Sequence, residues 1–270
     1  MSAVILAVLD HPDAARVLLD AARRLAELSD ATRINALLVR TPPEAMVSPS
    51  EEVLTAQREA KLRDEEASRA TGVREVFDAW AASLATSIVT GWTDTDGIAE
   101  LLVEERGRRA DYLVIEQPAR HDYGSSWHAL RAALFTTDRP VLVVPPQSSA
   151  TFGRRVAIAW RDDELATKAV LSALRCLTQA ESVFVLAGTR GGVTPQRPAI
   201  LAEHGIAAEL HALPIGAGVF GAMLLDETHE LGADLLVMGA YQHSPLREWL
   251  LGGVTRHMLA NADLPLLLRH

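Results

Sequence analysis

Short apolar runs alternate with amphipathic stretches along the whole chain. The apolar runs predict strands near 3–9, 33–39, 85–90, 111–116, 140–144, 155–160, 182–187, 206–213, 234–238 and 264–268. Apolar residues at helical spacing predict helices near 13–28, 50–81, 96–109, 124–135, 163–178, 195–204, 218–231 and 246–261. Runs that are apolar at every position, such as Tyr112 to Ile115, are typical of parallel strands covered on both faces. The alternation therefore predicts an α/β fold.

The pattern of the first half of the chain returns in the second half. Three segments recur in the same order, with 4–10 matching 156–162, 110–116 matching 233–239, and 140–143 matching 265–268. Ordered matches of this kind predict two copies of one domain, spanning 1–146 and 152–270. The turn-rich segment from Pro145 to Thr151 joins them.

Each copy is predicted to be a doubly wound, five-stranded parallel sheet. Right-handed crossovers and one reversal of winding give the strand order 3-2-1-4-5. This order brings together the carboxyl ends of the first and fourth strands, where ligands bind in open α/β sheets. In the second half these ends carry Asp162 and Gly239, so we expect both residues at one crevice.

A glycine-bearing segment near the end of the chain is the strongest candidate for chemistry. The apolar run that ends at Met238 is followed by Gly239, and Gly252 and Gly253 later open a helical pattern that contains Val254 and Thr255. Glycine lets backbone N–H groups approach a ligand closely, and a helix start favours negative charge. The segment therefore predicts an anion site.

Composition narrows the class of partner. A net charge of −9 argues against a nucleic-acid partner, which would favour a basic face. The single cysteine, Cys176, rules out an internal disulfide framework and a multi-cysteine zinc site, and its apolar helical context predicts a buried small side chain. No apolar run approaches the roughly 20 residues of a membrane span. With no basic, signal-like start, we expect a cytoplasmic protein.

The glycine segment resembles the universal stress protein signature, G-x2-G-x9-G-[ST]. The opening of the second half, Val156 to Trp160 followed by Arg161 and Asp162, is similar to the first strand and acidic loop of that family. The whole chain resembles tandem members with two such domains. The resemblance implies an adenine nucleotide alpha hydrolase-like fold. It also implies that the final strands of the two halves pair as a pseudo-dimer within one chain, and that a homodimer is possible.

The resemblance implies ATP or a related adenine nucleotide, possibly with Mg²⁺, in the second half. Asp162 would approach the sugar or base, and the backbone at Ala187 would meet the adenine. The residues that would meet the phosphates are Gly239, Gln242, Gly252, Gly253, Val254 and Thr255. Two of these depart from the signature, since Gln242 occupies its second glycine position and Gly253 its Ser/Thr position. A magnesium ion would need one carboxylate besides the phosphates, from Asp162 or Asp163.

The first half departs much further from the signature. Glu116 stands where Gly239 stands, and Trp127 and His128 stand where Gly252 and Gly253 stand. A carboxylate repels phosphate, so we expect the first half to be degenerate for ATP and to act mainly as a packing partner, with a different ligand left open. Its Asp10 matches Asp162, and Asp10 or Asp13 is expected to cap the first helix.

A charge-rich run and a glycine-rich run are both interpreted as structural features, not as binding sites. The charge-rich run from Glu51 to Arg69 predicts a solvated helix. The G-x-G-x-x-G run from Gly216 to Gly221 follows the third strand of its half, so it predicts a glycine turn into a helix that borders the crevice, not a dinucleotide fingerprint.

The expected function is that of a stress-response and signalling protein that binds ATP with little or no catalysis. The sequence contains no nucleophile elbow and no Ser-His-Asp spacing, so it predicts no catalytic residues. One alternative is a non-nucleotide interaction or scaffold protein with both crevices closed. Another is a nucleotide-handling enzyme, such as a weak hydrolase or an NAD-dependent oxidoreductase.

Overall fold

The computed structural model describes residues 3–46, 55–84, 87–119, 125–190, 195–216, 220–240 and 253–270. The strands are β1 (Ala3–Leu9), β2 (Ala31–Arg40), β3 (Val89–Asp96), β4 (Tyr112–Glu116), β5 (Val141–Val144), β6 (Arg155–Trp160), β7 (Ser182–Thr189), β8 (Glu209–Pro214), β9 (Leu235–Gly239) and β10 (Leu266–Arg269). The helices are α1 (Pro12–Ser29), α2 (Pro43–Met46), α3 (Ala56–Ala82), α4 (Ala99–Gly107), α5 (Ser125–Thr136), α6 (Glu164–Gln179), α7 (Ala199–Glu203), α8 (Phe220–Glu230) and α9 (Gly253–Asn261).

The ten strands of the described residues belong to one sheet, in the order β3-β2-β1-β4-β5-β10-β9-β6-β7-β8. Numbered within each half, this is the predicted order 3-2-1-4-5, repeated about the centre of the sheet. Neighbouring strands within each half are parallel. The predicted doubly wound α/β fold is therefore confirmed.

The two halves join through their final strands. β5 and β10 pair antiparallel, with Val143 opposite Leu266 and Val141 opposite Leu268. The paired side chains are buried. Each strand would otherwise present an open apolar edge, and edges of that kind invite pairing with other chains. The chain therefore forms the pseudo-dimer that the resemblance implied.

Helices cover both faces of the sheet, and the strands alternate between them. Ile5, Ala7 and Leu9 pack in a core with α1, α3 and α6, whereas Leu6 and Val8 pack in a second core with α4, α5, α8 and α9. This alternation follows from the two-residue period of a strand. It explains why the central strands are apolar at successive positions.

Side-chain hydrogen bonds also connect the two halves. Tyr112 on β4 donates its hydroxyl hydrogen to the Ser172 carbonyl oxygen of α6 at 2.9 Å. Gln117 donates through Nε2 to the Leu259 carbonyl oxygen in the last turn of α9 at 2.8 Å. The carbonyl groups of a last helical turn lack partners within the helix, so Gln117 satisfies one that would otherwise need water.

The third strand of the first half differs from its predicted position. β3 covers Val89–Asp96 and not 85–90. It is the outermost strand of that half, so polar residues such as Thr93 and Asp94 are tolerated in it. The Arg40 guanidinium on β2 pairs with the Asp94 carboxylate at 2.8 Å. Ile88, which lies in the predicted strand, and the preceding Leu84 pack against the core before β3 begins.

Several other bounds differ by smaller amounts. β7 continues to Thr189, two residues beyond the predicted end, and α7 is confined to five residues. No helix in the described ranges is both long and apolar enough to span a membrane.

Candidate functional site

Two crevices lie at the carboxyl edge of the sheet, one in each half. We call the space between the ends of β1 and β4 the first crevice, and the space between the ends of β6 and β9 the second crevice. Pairing of Ala159 with Met238 aligns β6 and β9. Gly239 therefore ends its strand beside the loop that carries Asp162, as the inferred strand order required.

The two aspartates after β6 have different surroundings. Asp163 is the N-cap of α6, where its Oδ1 atom accepts from the Ala166 N–H at 2.9 Å. Its Oδ2 atom accepts from the Arg161 guanidinium. Asp162 is exposed, and no hydrogen bond to its carboxylate exists among the described residues. Of the two magnesium candidates, Asp162 thus keeps its carboxylate available.

Gly239 lies directly beneath the first turn of α6. A Cβ atom at this position would be 2.9 Å from the Leu165 carbonyl carbon and 3.0 Å from the Ala166 nitrogen. Both neighbours are backbone atoms, which cannot rotate away as a flexible side chain can. Packing alone therefore requires glycine here, whether or not a ligand binds.

The described part of helix α9 begins at Gly253, towards the carboxyl edge of the sheet, because α9 connects the parallel strands β9 and β10. Nothing lies within 4 Å of a Cβ built at Gly253, and Val254 is half-buried. Thr255 is buried. The first N–H groups of a helix have no partners within it. Gly253, Val254 and Thr255 can therefore present backbone donors to an anion.

The predicted adenine contact lies inside a strand. Ala187 is the last residue of β7 that pairs with β6, opposite Trp160, and it also pairs with Ala212 of β8. Beyond Ala187, β7 continues beside β8 alone, with Gly188 opposite Leu213 and Thr189 opposite Pro214. Gln242 and Gly252 lie outside the described residues.

The glycine run that leads into α8 ends at Gly221, which packs against α9. Gly221 lies in the first turn of α8, and a Cβ there would be 2.7 Å from the His257 Cβ atom of α9. The two helices thus cross in close contact next to the start of α9. Residues 217–219 of the glycine run lie outside the described residues.

In the first crevice, Asp10 does not cap a helix as expected. The N-cap of α1 is His11, and neither Asp10 nor Asp13 makes a side-chain capping bond. The Asp10 Oδ1 atom instead accepts from Arg69 Nη1 at 3.0 Å, and its Oδ2 atom accepts from the Ser126 hydroxyl at 2.9 Å. Asp10 therefore connects α3 and α5 to the end of β1.

Arg69 contacts Asp10 beside the first crevice, and sequence reasoning missed this role. It was expected on a solvated helix, but only 14% of its side chain is exposed. Its Nε donates to Glu66 at 3.2 Å and its Nη2 to Glu66 at 2.7 Å and to the Val39 carbonyl oxygen at 2.8 Å. Its Nη1 donates to both the carboxylate and the carbonyl oxygen of Asp10. The sequence pattern that could have indicated its burial is the adjoining apolar face of α3, formed by Ala70, Val73, Phe77 and Trp80.

The first crevice is a narrow cleft that is partly open to solvent, with a volume of about 30 Å³. Six apolar side chains from β1, β2, β4, α4 and α5 form its walls, and its polar lining is Asp10, Thr41, Glu116 and Ser126. Trp127 and His128, which replace the second-half glycines, are residues of α5. The first crevice therefore has Glu116 at the end of β4, where the second half has Gly239 at the end of β9.

Two buried ionisable groups lie away from both crevices. Burial raises the pKa of the Cys176 thiol to about 12 and that of the Tyr112 hydroxyl to about 12. Cys176 is free and fully buried, as its apolar pattern predicted. In the described ranges, no group of three or more His, Cys, Asp or Glu side chains is arranged to hold a metal ion.

Comparison with known proteins agrees with this architecture. Residues 207–270 match the universal stress protein family. A universal stress protein from Archaeoglobus fulgidus superposes with a TM-score of 0.69 at 12% identity, covering 98% of this chain and 95% of that one. A putative universal stress protein from Pseudomonas aeruginosa gives a TM-score of 0.60 at 14% identity, with 98% and 92% covered.

No curated protein matches the sequence significantly. At 12% and 14% identity, the solved structures establish the shared fold, and the match over 207–270 supplies the sequence evidence. Residues 207–270 are thus similar to the universal stress protein family, and the chain as a whole shares the fold of the two solved structures.

Proposed function

We propose that the chain is a cytoplasmic stress-response module that binds ATP, or a related adenine nucleotide, in the second crevice. The observation that carries the proposal is the meeting of an exposed carboxylate and an open helix start at one sheet edge. Asp162 is exposed beside the end of β9, and α9 begins at Gly253 with open space around that residue. This combination offers an acceptor for a sugar or base and donors for phosphates.

The phosphates would be held by backbone groups. The N–H groups of Gly253, Val254 and Thr255 lie in the first turn of α9, where the helix dipole also favours negative charge. In the proposal, Gly252 extends this cradle and the Gln242 amide donates a further hydrogen bond. The backbone of β7 next to Ala187 would border the adenine.

Asp162 would act at the nucleoside end or at a metal. Its carboxylate accepts hydrogen bonds from ribose hydroxyls or supplies one oxygen to a Mg²⁺ ion that the phosphates also bind. Asp163 is unsuited to either task, because both of its carboxylate oxygens are already engaged by Ala166 and Arg161.

Binding without fast turnover is the expected behaviour. Hydrolysis needs a base or a residue that orients the attacking water. Among the described residues, no hydrogen bond fixes the Asp162 carboxylate in one orientation. We therefore expect slow ATP hydrolysis at most.

Unfolding of the purified protein in the presence of ATP and Mg²⁺ tests the proposal. A ligand that binds only the native state stabilises it by about 2.7 kcal/mol at one hundred times its Kd. Asp162→Asn should reduce this stabilisation, and Asp64→Asn, on the exposed face of α3, is the matched control that should not. Absence of stabilisation at millimolar ATP would contradict the proposal.

The second candidate function is that of a scaffold that binds no nucleotide. The packing of Gly239 against the backbone of Leu165 and Ala166 favours it, because this glycine has a structural reason to be present. The same experiment separates the two functions. Unfolding that is identical with and without ATP supports the scaffold.

A further inference from the structure

We propose that the ends of β1 and β2 form a receptor for a planar cation, and that Arg69 fills this receptor as a ligand built into the chain. We call the acceptor groups of Asp10, Val39 and Glu66 the guanidinium receptor. By occupying it, Arg69 closes the nucleoside side of the first half. The comparison with a nucleoside rests on the proposed function, whereas the occupation of the receptor by Arg69 does not.

The fit between Arg69 and the guanidinium receptor is complete. A guanidinium has five N–H groups. The Nε atom donates to Glu66 at 3.2 Å, and Nη2 donates to Glu66 at 2.7 Å and to the Val39 carbonyl oxygen at 2.8 Å. The Nη1 atom donates to the Asp10 carbonyl oxygen and, at 3.0 Å, to its Oδ1 atom. All five N–H groups therefore have an acceptor, and only 14% of the side chain is exposed.

Most of the receptor is held in place by groups other than Arg69. The Asp10 carboxylate also accepts from the Ser126 hydroxyl of α5 at 2.9 Å, which fixes its orientation. The Val39 carbonyl belongs to a strand that pairs with a neighbour on each side, where Val39 lies opposite Thr95. These acceptors are thus fixed by the sheet and by α5. We expect them to keep their positions when the guanidinium group is removed.

The receptor lies on the elements that border the proposed nucleoside position of the other half. Val39 is the penultimate residue of β2, and Gly188, next to Ala187, is the penultimate residue of β7. Asp10 follows β1, as Asp162 follows β6. A nucleoside would donate hydrogen bonds there through its amino and hydroxyl groups. In the first half, Arg69 makes donations of the same kind.

Little space remains beside the filled receptor. The adjoining cleft, which Asp10 and Val39 help to line, has a volume of about 30 Å³. That volume holds roughly one or two water molecules. An external ligand of the size of a nucleoside therefore has no room while Arg69 is in place.

The acceptors define the class of ligand that the receptor takes. Two carboxylates, 27% exposed at Asp10 and 18% exposed at Glu66, favour a cation, and the Val39 carbonyl oxygen accepts a further hydrogen bond. These acceptors lie around the edges of a flat group. A guanidinium presents its donors in such a plane, whereas an ammonium group is a compact point charge. Alkylguanidinium ions are therefore the class that fits.

Chemical rescue tests the receptor directly. Arg69→Ala removes the atoms that ethylguanidine contains, so ethylguanidine is the matched probe. N-ethylurea has the same shape without the charge. Thermal unfolding of the intact variant is followed at increasing concentrations of each probe and at fixed ionic strength. Ethylguanidine should raise the Tm of Arg69→Ala and bind about tenfold or more tightly than N-ethylurea, because its hydrogen bonds reach charged acceptors.

Two controls separate binding at the receptor from general effects of the salt. The parent protein, whose receptor is filled, should show no ethylguanidine-dependent rise in Tm. Arg63→Ala removes a guanidinium from the same helix that is 61% exposed and pairs with Glu59, and it too should show no rise. Adding Asp10→Asn to Arg69→Ala should weaken ethylguanidine binding about tenfold, since one charged acceptor is lost.

A measurement on the parent protein decides the matter if Arg69→Ala fails to fold. NMR reports the hydrogen exchange of each arginine Nε–H group. The Arg69 Nε–H should exchange with water at least about tenfold more slowly than that of the exposed Arg63, because Arg69 is enclosed and bonded to Glu66.

Three results would overturn the proposal. These are an ethylguanidine effect on Arg69→Ala no larger than on the parent protein, equal affinity of Arg69→Ala for ethylguanidine and N-ethylurea, and Arg69 Nε–H exchange as fast as that of Arg63. None of them bears on ATP binding, which is measured separately on the parent protein and on Asp162→Asn.

Discussion

Arg69 Nη1 lies 3.0 Å from Asp10 Oδ1, and this contact joins the third helix to the end of the first strand. The equivalent aspartate of the second half, Asp162, is exposed. The difference follows from the helices that precede the third strand of each half. α3 has 27 residues, whereas α7 has five and is too short to supply the same arginine. The two crevices therefore differ in whether this helix supplies a cation to the aspartate after the first strand of that half.

Replacement of Arg69 should destabilise the protein strongly. Arg69→Met leaves the Asp10 and Glu66 carboxylates, which are 27% and 18% exposed, without their shared cation. We expect a loss of about 3 kcal/mol in the free energy of unfolding, since partly buried charges lose their partner. Urea unfolding measures this loss.

Arg63→Met is the control on the same helix. Arg63 is 61% exposed and pairs with Glu59, so its loss should change the free energy of unfolding by less than about 1 kcal/mol. Equal effects of the two substitutions would contradict the role assigned to Arg69.

The two glycines of the second crevice should respond differently to alanine. Gly239→Ala places a Cβ atom 2.9 Å from the Leu165 carbonyl carbon, which forces β9 and α6 apart. We expect a loss of about 1–3 kcal/mol in stability, the usual cost of overpacking. Gly253→Ala meets open space and should be neutral or slightly stabilising. Thermal or urea unfolding of both variants checks this, and similar losses for both would show that Gly239 is not packed as described.

Stability should fall in alkaline solution because of two buried acids. In the unfolded chain the Cys176 thiol and the Tyr112 hydroxyl have pKa values near 9.0 and 10.0, and in the folded protein burial raises each pKa to about 12. Between these values the unfolded chain loses protons that the native state retains. The stability from the neutral groups is therefore complete below about pH 9 and declines towards pH 12, by up to about 1.4 kcal/mol per pH unit for each group.

Urea unfolding from about pH 8 to about pH 11 measures this decline. Tyr112→Phe keeps the ring and removes one ionisable group, so its stability should fall less steeply above pH 10 than that of the parent protein. An identical slope would show that Tyr112 ionises as easily in the folded protein as in the unfolded chain.

The hydrogen bond from Gln117 to α9 should contribute to the contact between the halves. Gln117→Ala removes the donor to the buried Leu259 carbonyl oxygen, and we expect a loss of about 1–2 kcal/mol in the free energy of unfolding. Gln57→Ala, at an exposed position of α3, is the control and should have little effect. Amide hydrogen exchange at the end of α9 should also quicken in Gln117→Ala, and unchanged exchange there would argue against this contact.

Much of the fold could be predicted from sequence because its signals are local and repeated. Apolar runs such as Tyr112 to Ile115 specify buried parallel strands, and the recurrence of 4–10 as 156–162 specifies the duplication. The pairing of the final strands was implied by the resemblance to tandem universal stress proteins. The edge strand β3 was misplaced because an edge tolerates polar residues, so its sequence lacks the apolar run of a central strand.

The site was less predictable, because its contacts join distant segments. Nothing local to Arg69 shows that its partners are Asp10 and Val39, which precede it by 59 and 30 positions. Nothing local to Gly239 shows that the α6 backbone lies against it. Such contacts depend on how helices lie over the sheet, and periodicity reports the buried face of a helix but not its partner.

A structure of the protein crystallised with ATP and Mg²⁺ tests the central claim most directly. The account predicts nucleotide density in the second crevice, with phosphates at the N–H groups of Gly253 and Val254 and the nucleoside beside Asp162, and none in the first crevice. Nucleotide in the first crevice beside Asp10, or no nucleotide in either crevice at saturating ATP, would contradict it.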